Sequence, residues 1–253
     1  MHIADVSYFL AEGNTLDDEA KQRATSVYLV QKVLPMLPPV LCELLCSLNP
    51  NVDRLAFSCI WKMRSNGELV DEAPWFGRTV IRSCAKLDYA TAQRMIDGII
   101  PSTPSANPCH PDAFLDTLSE EIWEHSRHPI GQSAWECARD VCLMHSIALK
   151  RRQTRLANGA LVIQNEKLTF KLDENGNPSS VSNYAIHDSN RLIEEYMLLA
   201  NYLVAQELIS RVGDAAFLRN HGMYTFFYFY NYFIFSLLTI FSYECTYSSA
   251  EYV

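Results

Sequence analysis

The opening ten residues constrain the fold most. From Ile3 to Leu10, Ala4, Val6, Tyr8 and Leu10 share one face, and Ile3, Asp5, Ser7 and Phe9 the other. That is the period of a strand buried on at least one side. Such a strand needs partners or a covered edge, so the chain has to build a sheet. The strand opens without a polar lead-in or a preceding turn, which predicts that part of its domain lies N-terminal to Met1. Glu12-Gly13-Asn14 then supplies a turn, and Thr15 with Asp18 has capping-box spacing. The helix started there carries Ala20, Ala24, Val27 and Tyr28 inward and runs to Pro35.

Further elements alternate in type. A short helix is expected from Pro38 to Leu48, broken by Asn49-Pro50-Asn51. A strand from Arg54 to Met63 is followed by the hairpin signal Asn66-Gly67 and a return strand near Leu69 to Asp71. Phe76 to Ala85 reads as another strand, and Leu87 to Gly98 as a helix led by Asp88. The four prolines between Ile100 and Pro111 specify a loop. Helices are expected from Asp112 to His125 and from Gln132 to Asn158, the second ending in Lys150, Arg151, Arg152 and Arg155. Short strands follow at Ala160 to Ile163, Leu168 to Leu172 and Val181 to Ile186. Ser189 to Ser210 is the clearest helix, capped by Asp188 or Ser189, with Leu192, Tyr196, Leu203 and Leu208 in its apolar stripe. Strands mixed with long helices define an α+β fold: a mixed β-sheet with long α-helices packed against it.

At 253 residues and 49% hydrophobic content the chain can bury one large core. A net charge of −8 argues against a generic nucleic-acid coat but leaves room for a locally basic channel. The eight cysteines form no CxxC pair, and reduced, buried thiols are expected. No basic n-region or cleavage site opens the chain, so no secretory signal is visible.

The acidic residues do not read as a metal centre. Asp17-Asp18-Glu19 lies in a first helical turn, where carboxylates favour the macrodipole. Glu120-Glu121 and Glu194-Glu195 are adjacent pairs whose members point in different directions on a helix. Cys109 with His110, His125, His128 and His145 has no zinc-site spacing. Neither a Walker motif nor GxSxG or GxGxxG occurs. The residues alone show no catalytic site and no metal ligands.

Longer motifs are more specific. HIADVSYF, EGNTLDDEA, RATSVYLV, PMLP, CSLNP, DRLAFSCIW, FGRTVIRSCAKLDYATAQ, NGALVI and DSNRLIEEYMLLAN occur in this order. Together they resemble the RNB catalytic domain of the RNase II/RNase R exoribonucleases, over roughly residues 1 to 220. The wording is closest to the eukaryotic cytoplasmic branch that works outside the exosome and favours oligo-uridine tails. The resemblance implies an RNB catalytic-domain fold, here truncated at both ends. It also implies processive 3′→5′ hydrolysis of single-stranded RNA to nucleoside 5′-monophosphates, with Mg²⁺ as cofactor and DNA not a substrate. A monomer in the cytoplasm, including P-bodies, is expected.

In that family the Mg²⁺-binding aspartates lie in a run just before the strand that begins here at His2, and the arginine motif that assists cleavage lies beyond the match. The resemblance therefore implies a chain with little activity of its own. A non-catalytic RNA-binding or interaction remnant is the competing reading. What carries over is substrate contact. Tyr28 matches a tyrosine that packs on the 3′-terminal bases, and an aromatic face stacks any base without reading sequence. Tyr89 matches a tyrosine linked to preference for RNA over DNA. Glu194 matches a glutamate with a similar role at the sugar, where a carboxylate can accept from a 2′-hydroxyl. A core tyrosine and a solvated helix residue are the structural alternatives for Tyr28 and Glu194. Ile163 stands where bacterial members can have a base-clamping Phe, which implies weaker stacking. Lys150, Arg151, Arg152 and Arg155 read as a solvated helix end before they read as phosphate ligands.

Residues 221–253 are set apart as a non-family tail. Tyr224 to Tyr243 holds no charge and is crowded with Phe and Tyr. It is long enough to span a bilayer, so a membrane tether, a buried helix and a tail foreign to the family are all compatible with it. The end of the resemblance near Arg219-Asn220-His221 favours the last.

Overall fold

A strand of eight residues, Asp53–Ile60, is the spine of the largest sheet. The computed structural model describes residues 1–98, 133–162, 168–173 and 177–218. In chain order its first elements are β1 His2–Ala4, α1 Val6–Phe9, α2 Thr15–Arg23, β2 Val27–Tyr28 and β3 Val33–Leu34. A π-helical turn, Val40–Leu45, precedes the spine strand β4 and its partner β5 Trp75–Arg82. Then come α3 Tyr89–Ile96, α4 Ala134–Ala157, β6 Leu168–Leu172, β7 Pro178–Asn183 and α5 Asp188–Val212. The fold is α+β. The sheets are β1-β4-β5, β2-β3 and β6-β7, all antiparallel, with one isolated parallel bridge between Pro50 and Ser83.

The β4-β5 ladder runs from Asp53 opposite Arg82 to Ile60 opposite Trp75. Its cross-strand contacts include the ion pair between Arg82 Nε and Asp53 Oδ1 at 2.7 Å. The sheet packs on α5 through Cys59, Leu199 and Leu203, with Trp61, Met63, Leu69 and Phe76 around them. A second cluster joins α3 to α4 through Met95, Ala134, Cys137 and Ala138. The Asn66-Gly67 hairpin forms: Gly67 has φ +88°, and Met63 bridges to Leu69. A Cβ on Gly67 would lie 2.7 Å from Arg151 Cγ, so glycine is needed there both for its backbone and for the approach of α4.

Several expectations fail at the N-terminal end. The first strand stops at Ala4 instead of running to Leu10. Asp5 is buried and accepts from Ser7 Oγ at 2.7 Å and from Arg78 Nε at 2.9 Å. A short polar side chain satisfied next to its own backbone favours a turn over continued pairing, and α1 follows. The cap of α2 falls one residue earlier than expected: Asn14 Oδ1 accepts from Asp17 N, and Asp17 Oδ2 accepts from Gly13 N. That helix ends at Arg23, with Ala24 at φ +59°, and does not reach Pro35. Val27 and Tyr28 are instead strand residues, paired with Leu34 and Val33. A β-branched and aromatic run outweighs the helical spacing there. The helix expected from Pro38 to Leu48 is reduced to the π-helical turn.

Elsewhere the reading is closer. Asp88 caps α3, accepting from Thr91 N at 2.9 Å. The two long helices stand within two residues of expectation, although His187, and not Asp188 or Ser189, holds the N-cap position of α5. Residues 160–162 form no strand. The Ile100 to Pro111 loop, the Asp112 to His125 helix, Ile163 and the Tyr224 to Tyr243 stretch lie outside the described residues. Among the described residues no helix is long and apolar enough to cross a membrane.

Candidate functional site

Tyr89 is the first residue of α3 and is half-buried. The start of α5 is tied to it: Ser189, 1% exposed, donates from Oγ to the Tyr89 carbonyl at 2.8 Å. Ser189 N also donates to Gln93 Oε1 at 3.0 Å. Glu194 lies five residues further along α5 and is exposed. Two of the three residues singled out by sequence, Tyr89 and Glu194, thus sit on helices hydrogen-bonded to each other. Tyr28 is half-buried on the separate β2-β3 hairpin. That hairpin is anchored by Arg23 Nη1 donating to the Pro35 carbonyl at 2.7 Å and Met36 N donating to Ser26 Oγ at 3.1 Å.

Glu195, next to Glu194, has the opposite environment. It is 2% exposed and receives a forked pair from Arg155, Nη2 to Oε1 at 2.6 Å and Nε to Oε2 at 3.2 Å. Arg152 Nη1 lies 3.5 Å from Glu195 and 3.6 Å from Glu194, and Arg155 Nη2 lies 3.6 Å from Glu194. The hydrogen bond to Glu195 raises the pKa of Arg155 above its ordinary value. The basic run is therefore not a solvated helix end. Arg151 Nη1 donates to the Gly67 carbonyl and Lys150 Nζ to the Ser65 carbonyl, each at 2.8 Å. All four cations hold the end of α4 against the Asn66-Gly67 hairpin or against α5. Sequence reasoning missed Glu195. Its signal was the spacing of Arg152 and Arg155, which places two guanidinium groups on one helix face opposite an acidic pair.

The described carboxylates do not fit a two-metal site. Asp17 pairs with Lys21 at 2.6 Å, Glu19 with Arg23 at 2.9 Å, Asp5 with Arg78 and Asp53 with Arg82. The Lys21 hydrogen bond holds the Asp17 carboxyl below its usual range, and the Gly13 amide adds to it. Among the described residues no three His, Cys, Asp or Glu side chains converge as a metal site. An open depression of about 210 Å³ is lined by Asp5, Tyr8, Leu55, Arg78, Thr79 and Val80, and includes none of Tyr28, Tyr89 and Glu194.

An α+β sheet-and-helix domain with a helix-mounted tyrosine and carboxylate, and a separate aromatic hairpin, is the class that fold and site define. The chain belongs to the RNB domain family, which matches residues 1–226. It is 49% identical to DIS3-like exonuclease 2 of Xenopus tropicalis over 224 residues, covering 87% of this chain and 24% of that protein. That relative is of the eukaryotic branch to which the motif wording points. It is also 40% identical over 222 residues to a protein of Arabidopsis thaliana named "Inactive exonuclease DIS3L2", covering 87% of this chain and 19% of that one. The fold matches Mycoplasma genitalium RNase R, solved in complex with ribose methylated single-stranded RNA, with a TM-score of 0.64 at 21% identity. That match covers 83% of this chain and 28% of the RNase R chain. The chain spans about a quarter of the length of the curated relatives it matches.

Proposed function

We propose that this chain forms the RNA-gripping part of a 3′→5′ exoribonuclease that degrades single-stranded RNA, uridine-tailed RNA included, to nucleoside 5′-monophosphates in the cytoplasm. The observation that carries this reading is the RNB family match over residues 1–226. In it, Tyr28 offers a ring to the 3′-terminal bases, a contact that tolerates any base. Glu194 accepts from a ribose 2′-hydroxyl, and Tyr89, fixed through Ser189, sets the distance between that sugar and α3. Arg155 and Glu195 hold α4 and α5 in the register that keeps Glu194 facing outward. Mg²⁺, when bound in a complete enzyme of this family, supplies charge stabilisation at the phosphate and a hydroxide nucleophile. The described residues do not build its site, so their part is binding and orientation.

The test is incubation of the purified chain with 3′-uridine-tailed, end-labelled RNA in Mg²⁺ and in EDTA. RNA that is retarded on a gel yet intact in both is the expected result. A Mg²⁺-dependent ladder from the 3′ end would show catalytic ligands within these 253 residues and overturn the division of labour. Absence of retardation would overturn the RNA contact itself.

A further inference from the structure

The open depression beside Asp5 takes no part in the RNA contact proposed above. It follows from unequal strands: β1 has three residues and β4 eight. Past Ala4 the chain turns into α1, and Leu55 and Val80, opposite each other in the β4-β5 ladder, are left as an apolar floor. Tyr8 of α1 lines the depression at 62% exposure, its ring set edge-to-face on Phe9 at 5.3 Å. Arg78 of β5 is exposed and uses only part of its guanidinium. Its Nε donates to Asp5 Oδ2 at 2.9 Å and its Nη2 weakly to Ser7 Oγ at 3.5 Å, while Nη1 makes no hydrogen bond among the described residues. Asp5 is 5% exposed, and of the roughly four acceptor sites of a carboxylate, Ser7 Oγ and Arg78 Nε fill two. Phe57, opposite Arg78 on the same face of the sheet, is exposed as well. We propose that this depression is a nucleobase pocket for single-stranded RNA, in which a base stacks on Tyr8, donates an N–H to Asp5 and accepts from Arg78.

Size and chemistry select the same ligand. The depression measures about 210 Å³. Sites that bury a whole small-molecule ligand run to about 300–1,000 Å³, so this one has room for a flat ring system and not for a nucleotide with its phosphate. A buried carboxylate disfavours any anion beside it and favours a donor. The Tyr8 ring and the Arg78 guanidinium plane each offer a face for stacking. A base complements all three groups, with two flat faces, an N–H and an acceptor next to that N–H. Uracil, for example, carries N3–H between two carbonyls on its Watson–Crick edge. The pocket rests on the reading of this chain as RNA-gripping. It adds a contact on the β1-β4-β5 sheet, separate from the Tyr28 hairpin and from the α3-α5 junction that carries Tyr89 and Glu194.

The experiment titrates the full chain, by fluorescence anisotropy, with labelled oligouridine and with the same RNA carrying N3-methyluridine at every position. Methylation removes the N–H and leaves the ring faces and the 2′-hydroxyl in place, so the contacts of Tyr28 and Glu194 persist. The methylated RNA is expected to bind about tenfold more weakly, the scale of one lost base contact. Tyr8→Ala should weaken the unmodified RNA by a similar factor and remove most of the difference between the two RNAs, and Tyr8→Phe should keep it. Equal affinity of the unmutated chain for both RNAs would overturn the pocket and leave the RNA-gripping reading standing; binding of neither would overturn both. A methylation effect that Tyr8→Ala leaves in full would also overturn the pocket, because the N–H contact would then lie elsewhere. Photo-crosslinking of the unmutated chain to 4-thiouridine RNA, mapped by mass spectrometry, decides the matter even where a Tyr8 variant does not fold. Adducts on the peptides of Tyr8 or Arg78 are expected, and adducts confined to the Tyr28 hairpin and α5 would overturn the proposal.

Discussion

Glu194 and Glu195 are neighbours with opposite fates, because successive helical residues point about a quarter-turn apart. The Glu195 side chain is 3% exposed beneath two guanidinium groups, whereas that of Glu194 is 49% exposed. Removing one member of a buried charge pair leaves the other uncompensated. Glu195→Ala should therefore lower stability by ~3 kcal/mol in urea denaturation. Glu194→Ala keeps the Arg155 fork intact and should stay within about 0.5 kcal/mol. Equal losses for the two would show that the fork does not hold α4 to α5. Tyr28 tests the RNA contact separately. Replacing a stacking ring costs about 1–3 kcal/mol per base, so Tyr28→Ala should weaken RNA binding by that amount in fluorescence anisotropy while Tyr28→Phe keeps most of it. A Phe variant as weak as the Ala variant would assign the effect to the hydroxyl and not to stacking.

At the scale of an element, α4 owes its start to Glu136, which accepts from Ser133 N at 2.9 Å and Ser133 Oγ at 2.8 Å. The backbone hydrogen bond, then the hydroxyl, holds the Glu136 carboxyl below its ordinary value of 4.5. A carboxyl depressed in the folded chain contributes stability that is fully present above the ordinary value and is lost as pH falls through the folded one. Thermal melts of the wild type should therefore drop below pH 4.5 by more than those of Glu136→Gln; parallel curves would remove the cap from the account. The same element shows what sequence can tell. Long periodic stretches with polar caps, α4 and α5, were legible nearly to the residue, as was the Asn66-Gly67 turn. Short segments were not. At Asp5 a buried carboxylate paired with the exposed Arg78, 73 positions away, breaks the strand period. At Val27-Tyr28 local β preference overrode the helical spacing that continues from α2. Of the site, the motifs singled out Tyr89 and Glu194, but the joining of their helices and the burial of Glu195 depend on distant segments meeting, which no local pattern encodes.

Across the whole molecule, charge sets how RNA can be held. The net charge is −8, and the four cations of the densest basic run face partners inside the protein. Lys150 and Arg151 bond to hairpin carbonyls, and Arg152 and Arg155 face carboxylates at 2.6 to 3.6 Å. Single-stranded nucleic acid releases about 0.7 counterion for each phosphate neutralised by a protein cation. A chain that grips by stacking and by the 2′-hydroxyl should therefore bind with a shallow salt dependence, the slope of log K against log salt lying between 0 and about −2. Anisotropy titrations of uridine-tailed RNA across a range of KCl concentrations measure that slope. A slope near −5 would mean that about seven phosphates are neutralised. The α4 cations would then have to leave their protein partners on binding, and Glu195 would be left buried without its arginines. Such an opening would weaken the α4-α5 contact in the complex, whereas the shallow slope keeps the helices locked in both states.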